Sequence, residues 1–269
     1  MEPCFKRVLT IFLENQPTAS IPAHSYLETL KTRGVFLGNY FGIRHPSEPN
    51  YVAAIAGSTF GIDDDGDYDL NERTLVDLLE QHGITWKAYM EDLPSNQKLI
   101  HKSGRYVRKH NPFASFTTIT AEPARLARIV GADAFEADAA SGQLPQYCWY
   151  TPNLDNDGHD TGITHASQWL DGFLTPLFAM PGFASDTLVV VTFDERHPDD
   201  DNHVYAVVVG PGAIPGRVDD TRYDHYSVLR TVEENWSLGT LGRSDNNATW
   251  FSFLWGLPPT VTSWEDHNS

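Results

Sequence analysis

Residues Val8 to Leu13, VLTIFL, form an unbroken apolar run that stops at Glu14-Asn15. A strand buried on both faces reads this way, because neither side of it can be polar. Thr187 to Phe193, TLVVVTF, is a second and clearer run, and it ends at Asp194-Glu195. ITWKAYME from Ile84, Tyr147 to Tyr150, and VYAVVVGPG from Val204 read as further strands, with Val35 to Phe41 a shorter candidate. Helical patterns lie between them: Ser25 to Thr32, Pro49 to Ala56 on small residues, and Leu75 to His82 closed by Gly83. Ser167 to Met180 carries Pro176 and is expected to kink there, and Tyr226 to Trp236 is a final amphipathic helix. Strands alternating with helices imply βαβ units, hence an α/β fold with a mostly parallel central sheet and helices on both faces. No internal repeat or low-complexity linker interrupts the pattern, so residues 1–269 are expected to form a single domain.

Charge narrows the partners. Lys plus Arg is 19 against 36 for Asp plus Glu, a formal net charge of −17. Such a surface repels nucleic acid and anionic membranes, so neither is an expected partner. No stretch of twenty apolar residues could span a bilayer. Met1-Glu2-Pro3-Cys4 leads into FKRVLTIFLEN, which turns polar too soon for a secretory signal. The expectation is a cytoplasmic protein, with removal of a signal as the alternative. Cys4 and Cys148 form no ligand spacing, and Asn235-Trp236-Ser237 and Asn247-Ala248-Thr249 match the glycosylation triplet. Positive charge gathers between His101 and His110, where Lys102, Arg105, Arg108 and Lys109 read either as a solvated loop or as an anion pocket.

Parallel sheets place ligand sites beyond the carboxyl ends of their strands. If the two strongest strands are neighbours, Glu14, Asn15, Asp194 and Glu195 share one edge. Carboxylates that close raise one another's pKa unless a cation lies between them. An all-oxygen set favours one hard divalent ion, Mg²⁺, Ca²⁺ or Mn²⁺, and Zn²⁺ is admissible. The competing reading is that each pair only ends its strand.

RHPSEPN places Ser47 between Pro46 and Pro49, just before the small-residue helix. Its hydroxyl is expected near a helix N-terminus, either as a cap or facing an anion. His110 in RKHNPF and His159 in PNLDNDGHD could grip a phosphate oxygen or protonate a leaving alkoxide. His225 reads as structural, at a helix start. GIDDDGDYDLNE imitates a calcium loop but has Gly61 where the first Asp should be, so a solvated acidic turn is expected. HPDDDNH from His197 reads as an exposed hairpin connection. Trp236, Trp250, Phe251, Phe253 and Trp255 are expected to pack as core rather than meet lipid.

The ordered set FLEN, RHPSEPNYVAAIAG, YVRKHNPF, YTPNLDNDGHD, VVVTFDE and HYSVLRTVEENWSLG resembles the phosphoesterase family of acid phosphatases and phospholipases C, from about residue 8 to 242. The resemblance implies an alkaline-phosphatase-like three-layer sandwich and a small phosphorylated substrate. It implies Ser47 as the nucleophile that takes the phosphoryl group, with His110 and His159 contacting phosphate. It also implies one divalent metal ion held by Glu14, Asn15, Asp194 and Glu195 and reached by Ser47. The expected activity is metal-dependent phosphomonoester hydrolysis through a phosphoserine. A phosphodiesterase of phospholipase C type, or a non-catalytic metal- or phosphate-binding relative, would use the same residues.

Overall fold

The structure, a computed structural model, describes residues 2–16, 20–196 and 201–257. Its strands in chain order are β1 (Arg7–Leu13), β2 (Val35–Leu37), β3 (Tyr40–Phe41), β4 (Trp86–Met90), β5 (Lys102–Ser103), β6 (Tyr106–Val107), β7 (Ile129–Gly131), β8 (Tyr147–Thr151), β9 (Thr187–Phe193), β10 (Ala206–Val209), β11 (Arg217–Asp219) and β12 (Tyr223–Asp224). Eight of them make the main sheet, in the order β11-β2-β10-β9-β1-β8-β4-β7. Within it β10 alone is antiparallel to its neighbours β9 and β2, and every other pairing is parallel. The mostly parallel α/β sheet expected from the sequence is what forms, with helices around it.

The central strands explain their own composition. All seven residues of β9 are buried, as are six of seven in β1 and all five in β8. A strand covered on both faces and paired on both edges has no place for polar side chains, and β-branched residues suit its pleat. The Ser47–Ala56 helix is buried at every position. Its Ala53, Ala54 and Ala56 let it lie close to its neighbours, and Gly57 ends it in the left-handed conformation at φ 69°.

Element boundaries depart from the sequence reading where turns intervene. Val35 to Phe41 is two strands, β2 and β3, separated at Gly38-Asn39. A Cβ on Gly38 would lie 2.3 Å from Asp220 Oδ1, so a larger residue there would have to push the exposed Asp220 side chain aside. The helix expected from Ser167 begins at Ile163 and runs to Ala179, accommodating Pro176 inside it. Strand β7 and the Ala132–Ala140 helix carry weak apolar patterns and were not anticipated. The C-terminal aromatics pack as core: Phe5 meets Trp236 edge-on at 5.6 Å, and Trp250, Phe251 and Phe253 are buried. Asn235 is buried too, its Oδ1 accepting from Cys4 N and Phe5 N at 2.8 and 3.2 Å, so it offers no glycosylation site. The His197–Asp200 part of the expected hairpin connection lies outside the described residues.

Glu233 of the His225–Trp236 helix is buried with neither carboxyl oxygen hydrogen-bonded, its Oε2 lying 3.6 Å from Arg230 Nη1. Burial, reinforced by Asp245, raises its pKa from 4.5 to about 9. The folded protein therefore holds this proton more tightly than the unfolded chain, and stability falls as pH rises between about 4.5 and about 9. Glu233→Gln removes that slope. Its melting temperature should exceed wild type at pH 8 by more than at pH 5, by about 2–4 °C for each kcal/mol relieved. Equal differences at both pH values would contradict the buried neutral carboxyl.

Candidate active site

Strands β1 and β9 pair in parallel from Arg7↔Thr187 to Leu13↔Phe193, so their carboxyl ends emerge side by side. Asp194 N donates to Leu13 O at 3.0 Å, and Asn15 N donates to Asp194 Oδ1 at 3.2 Å. Asn15 turns the chain off the strand with φ 51°, a left-handed conformation that asparagine tolerates better than most residues. The condition on which the edge reading rested is met.

Ser47 arrives from the opposite side as the first residue of its helix and is only 1% exposed. It does not cap that helix. Its hydroxyl lies 3.0 Å from Glu14 Oε2 and 3.3 Å from Glu195 Oε1, and donates its proton toward these carboxylates. The free Glu48 N–H is instead bound by Asp65 Oδ1 at 3.0 Å, reaching over from the acidic turn. The loop before Ser47 is fixed by Asn50: its Oδ1 accepts from Ile43 N and Arg44 N at 2.7 and 3.1 Å, and its Nδ2 donates to Arg44 O and Pro46 O at 2.8 and 3.0 Å. His45, in the same loop, pairs with Glu195.

His110 sits at the end of a short 3₁₀ turn, Arg108–His110, and is buried. Its Nε2 is 3.0 Å from Glu14 Oε1 and its Nδ1 is 3.4 Å from Asp157 Oδ2. Tyr51 stacks on the ring at 5.0 Å, with planes 9° apart. His159 approaches from the loop after β8, its ring 6.2 Å from that of His110. Its backbone N donates to Asp157 Oδ1 at 2.8 Å, and its Nδ1 lies 2.7 Å from Asp160 Oδ1. The structure therefore gathers Glu14, Asn15, Ser47, His110, Asp194 and Glu195 at one place, with His159 at its rim.

The electrostatics of this cluster are those of acids crowded out of water. Burial, then Asp194 and Asp157, raises Glu14 well above the carboxylate range. Burial raises Asp194, and burial with Asp194 raises Glu195 to about 8. Asp157 is raised by burial and by Asp194. Burial, with Lys109 and His159 nearby, holds the His110 imidazole well below its ordinary value. Lys109 supplies positive charge: burial pulls its ammonium down, but Glu14, Asp65 and Asp194 more than offset this. Asn15 Oδ1 and Asp194 Oδ2 are buried without hydrogen-bond partners. Among the described residues no group of three or more His, Cys, Asp or Glu is arranged as a ready metal cage. The chemistry of the donor set nevertheless suits a hard cation, which would lower every one of these raised carboxyls.

Several of these groups were not singled out from the sequence. Asp157, His45, Lys109, Asp65, Asn50 and Tyr51 all touch the site or hold what touches it. PNLDNDGHD offers three aspartates in six residues, and spacing alone does not tell which one turns inward. The structure also bears on two sequence readings. Three cations of the basic segment are held by the protein itself: Arg108 is buried and bonds Tyr68 O, Asp69 Oδ1 and Ala114 O, Arg105 pairs with Asp155, and Lys109 pairs with Asp65 at 2.8 Å. The acidic turn is exposed at Asp63 and Asp64, as expected, but its Asp65 caps the serine helix.

His225 is structural, as its position suggested. Its Nε2–H donates to the Asp194 backbone carbonyl at 2.5 Å, and its Nδ1 accepts from Tyr40 OH at 3.1 Å. Burial lowers its pKa to about 4, which keeps the ring neutral and in that role.

Comparison with known proteins places the chain in a family. The sequence profile of the phosphoesterase family matches residues 19–239. The chain is 42% identical over 259 residues to a probable acid phosphatase of Kluyveromyces lactis, covering 91% of this chain and 61% of that protein. It is 32% identical over 260 residues to a phosphatidylinositol-3-phosphatase of Mycobacterium tuberculosis, covering 94% of this chain and 84% of that one. The fold matches an alkaline phosphatase superfamily protein from Vibrio parahaemolyticus with a TM-score of 0.63 at 13% identity, over 93% of this chain and 74% of that one. The chain belongs to the phosphoesterase family.

The His225 assignment has a direct consequence. His225→Ala leaves the Asp194 carbonyl and the Tyr40 hydroxyl without their partner, at a cost of about 1–3 kcal/mol. Denaturant unfolding should show that loss, whereas His165→Ala on the surface should stay within about 0.5 kcal/mol of wild type. Equal stability of the two variants would refute the structural role.

Proposed function

We propose that this phosphoesterase-family chain hydrolyses phosphate monoesters, with Ser47 as the nucleophile. The observation that carries the reading is the Ser47 hydroxyl itself, buried at the start of a helix and aimed at Glu14 and Glu195. The chain spans about 60% of the length of the acid phosphatases to which it is similar, so the activity named for those proteins enters here as support for the reading.

A serine hydroxyl is a weak nucleophile at its free pKa and must be activated. Glu14, Asn15, Asp194 and Glu195, together with the Ser47 oxygen, would hold one divalent cation, and Mg²⁺, Ca²⁺ or Mn²⁺ suits the oxygen set best, with Zn²⁺ admissible. When bound, that ion lowers the hydroxyl pKa and neutralises charge on the phosphoryl oxygens. The chain's own residues do the positioning. Asn50 and the flanking prolines fix the loop that aims Ser47, and a misplacement of 1 Å can cost on the order of 100-fold in rate. The Glu48 N–H is taken by Asp65 and Pro49 has none, so what the start of the Ser47 helix offers a phosphoryl group is the positive end of its dipole.

Ser47 Oγ passes its proton to the carboxylate of Glu14 or Glu195 and attacks phosphorus, the ester P–O bond breaks, and the leaving alkoxide takes a proton. His159 is suited to give that proton, since Asp160 binds one ring nitrogen and leaves the other to face the substrate. His110, packed against Tyr51 and lying between Glu14 and Asp157, contacts a phosphoryl oxygen. Water then cleaves the phosphoserine and restores the hydroxyl. The phospholipase C alternative gains no support, because the aromatic cluster that could have met lipid is core.

Hydrolysis of p-nitrophenyl phosphate tests this reading. Ser47→Ala should lower kcat by at least about a thousandfold with an unchanged circular dichroism spectrum. Chelation should abolish wild-type turnover and a single divalent ion should restore it. Equal turnover in wild type and Ser47→Ala would remove Ser47 from the mechanism. Tight metal uptake with no turnover of any ester would replace the enzyme by a binding protein.

A second consequence concerns the ion alone. Asp194→Asn removes one charge from the set and should weaken divalent-ion binding, read by calorimetry on chelator-treated protein, by about tenfold or more. Unaltered affinity would place the ion elsewhere.

A further inference from the structure

Strand β4 lies beside β8 in the sheet, and it too runs into acids at its carboxyl end, Glu91 and Asp92. The register Met90↔Thr151 and the bond from Glu91 N to Thr151 O at 3.0 Å bring Glu91 alongside the loop that follows β8. Its carboxylate accepts three hydrogen bonds from that one stretch of chain. Tyr150 OH donates to Oε1 at 3.0 Å, while Asn153 N and Asn156 Nδ2 donate to Oε2 at 2.9 and 2.8 Å. Asp92 adds a fourth bond, its Oδ2 accepting from Asn153 Nδ2 at 2.9 Å. Hydrogen bonds to an ionised acceptor are roughly twice as strong as neutral ones.

What Glu91 grips leads into the candidate active site. Asn153 Oδ1 accepts from Asp155 N and Asn156 N at 3.1 and 3.0 Å, and the Asn153 backbone oxygen accepts from Asp157 N at 2.9 Å. Asp157 then binds His159 N through Oδ1 at 2.8 Å, and its backbone oxygen accepts from Glu14 N at 3.0 Å. A chain of three bonds, at 2.9, 2.9 and 2.8 Å, therefore links Glu91 to Asn153, Asn153 to Asp157, and Asp157 to His159. Among the described residues, those between Thr151 and Ile163 form no helix or strand, so bonds of this kind set the loop's path.

We propose that Glu91 is a positioning residue of the reaction. By gripping Asn153 and Asn156 it sets the loop in which Asp157 fixes His159, and so places the imidazole that protonates the leaving alkoxide. The proposal rests on the phosphomonoesterase reading, with His159 as the proton donor. Glu91 acts on the donor through the loop and touches no reacting atom. Its effect should therefore be felt most where the leaving group most needs a proton, because a donor misplaced by 1 Å can cost on the order of 100-fold.

The test compares two esters of nearly one shape, phenyl phosphate and p-nitrophenyl phosphate. Phenolate is the stronger base and depends on the proton donor, whereas p-nitrophenolate leaves readily without one. Glu91→Ala should lower kcat/KM for phenyl phosphate by about tenfold or more and that for p-nitrophenyl phosphate by about threefold or less. Asn156→Ala, which keeps Glu91 but removes one of its donors, should show the same selectivity to a smaller degree, and it carries the comparison if Glu91→Ala does not fold. Glu91→Gln can offer its oxygen to Asn153 N and Asn156 Nδ2 and its amide to the Tyr150 hydroxyl, so it should retain most of the phenyl phosphate rate. In a His159→Ala background, Glu91→Ala should cost phenyl phosphate nothing further, since the two residues act as one unit. Equal losses on both esters, or fully additive effects of Glu91→Ala and His159→Ala, overturn the proposal. If wild type hydrolyses p-nitrophenyl phosphate, such a result leaves the phosphomonoesterase reading standing. If wild type hydrolyses neither ester, that reading fails separately, and amide hydrogen exchange decides the role of Glu91. Faster exchange across residues 153–159 in Glu91→Ala, with β1 unchanged, supports the positioning, and unchanged exchange there overturns it.

Discussion

Parallel pairing of β1 with β9 is the constraint on which the rest depends. It brings two strands that end in carboxylates to the same edge in register, so Glu14 and Asp194 must sit side by side. The helix that starts at Ser47 then closes over them, and its hydroxyl takes both Glu14 and Glu195 as acceptors. Everything else near the site manages the consequence. Asn15 bends away in a left-handed turn, Lys109 brings an ammonium toward the cluster, and His225 pins the Asp194 backbone from behind.

Such a cluster is costly to fold without a counter-charge. Four carboxyls with raised pKa values and two buried oxygens without partners are not what stability alone would select. Unsatisfied polar groups and raised pKa values concentrate where chemistry is done, because a site that binds a charged ligand tightly must be incomplete without it. The surrounding core carries that burden. The Ser47–Ala56 helix is buried throughout, and the β1, β8 and β9 strands are almost wholly apolar.

Much of this was legible in the sequence. Unbroken runs such as TLVVVTF leave a parallel, doubly covered strand as the natural reading, and Glu14-Asn15 and Asp194-Glu195 mark where such strands end. Ser47 stood out because prolines bracket it. What could not be read was which polar residues of a loop turn inward. Asp157 and Asp155 differ by two positions in the same loop, yet one faces His110 and the other pairs with Arg105. Asp65 looked like part of a solvated acidic turn and instead caps the Ser47–Ala56 helix, binding the N–H of Glu48 seventeen residues earlier in the chain. Contacts of this kind are set by tertiary packing, to which local spacing is blind.

The central claim is that Ser47 accepts the phosphoryl group, and intact-protein mass spectrometry tests it most directly. The protein would be mixed with a phosphate ester and a divalent ion, quenched in acid within one turnover, and digested for peptide assignment. The account predicts one added phosphoryl group on the peptide carrying Ser47, absent when substrate is omitted and absent in Ser47→Ala. Rapid hydrolysis with the peptide never labelled, or a label on another residue that persists in Ser47→Ala, would contradict it.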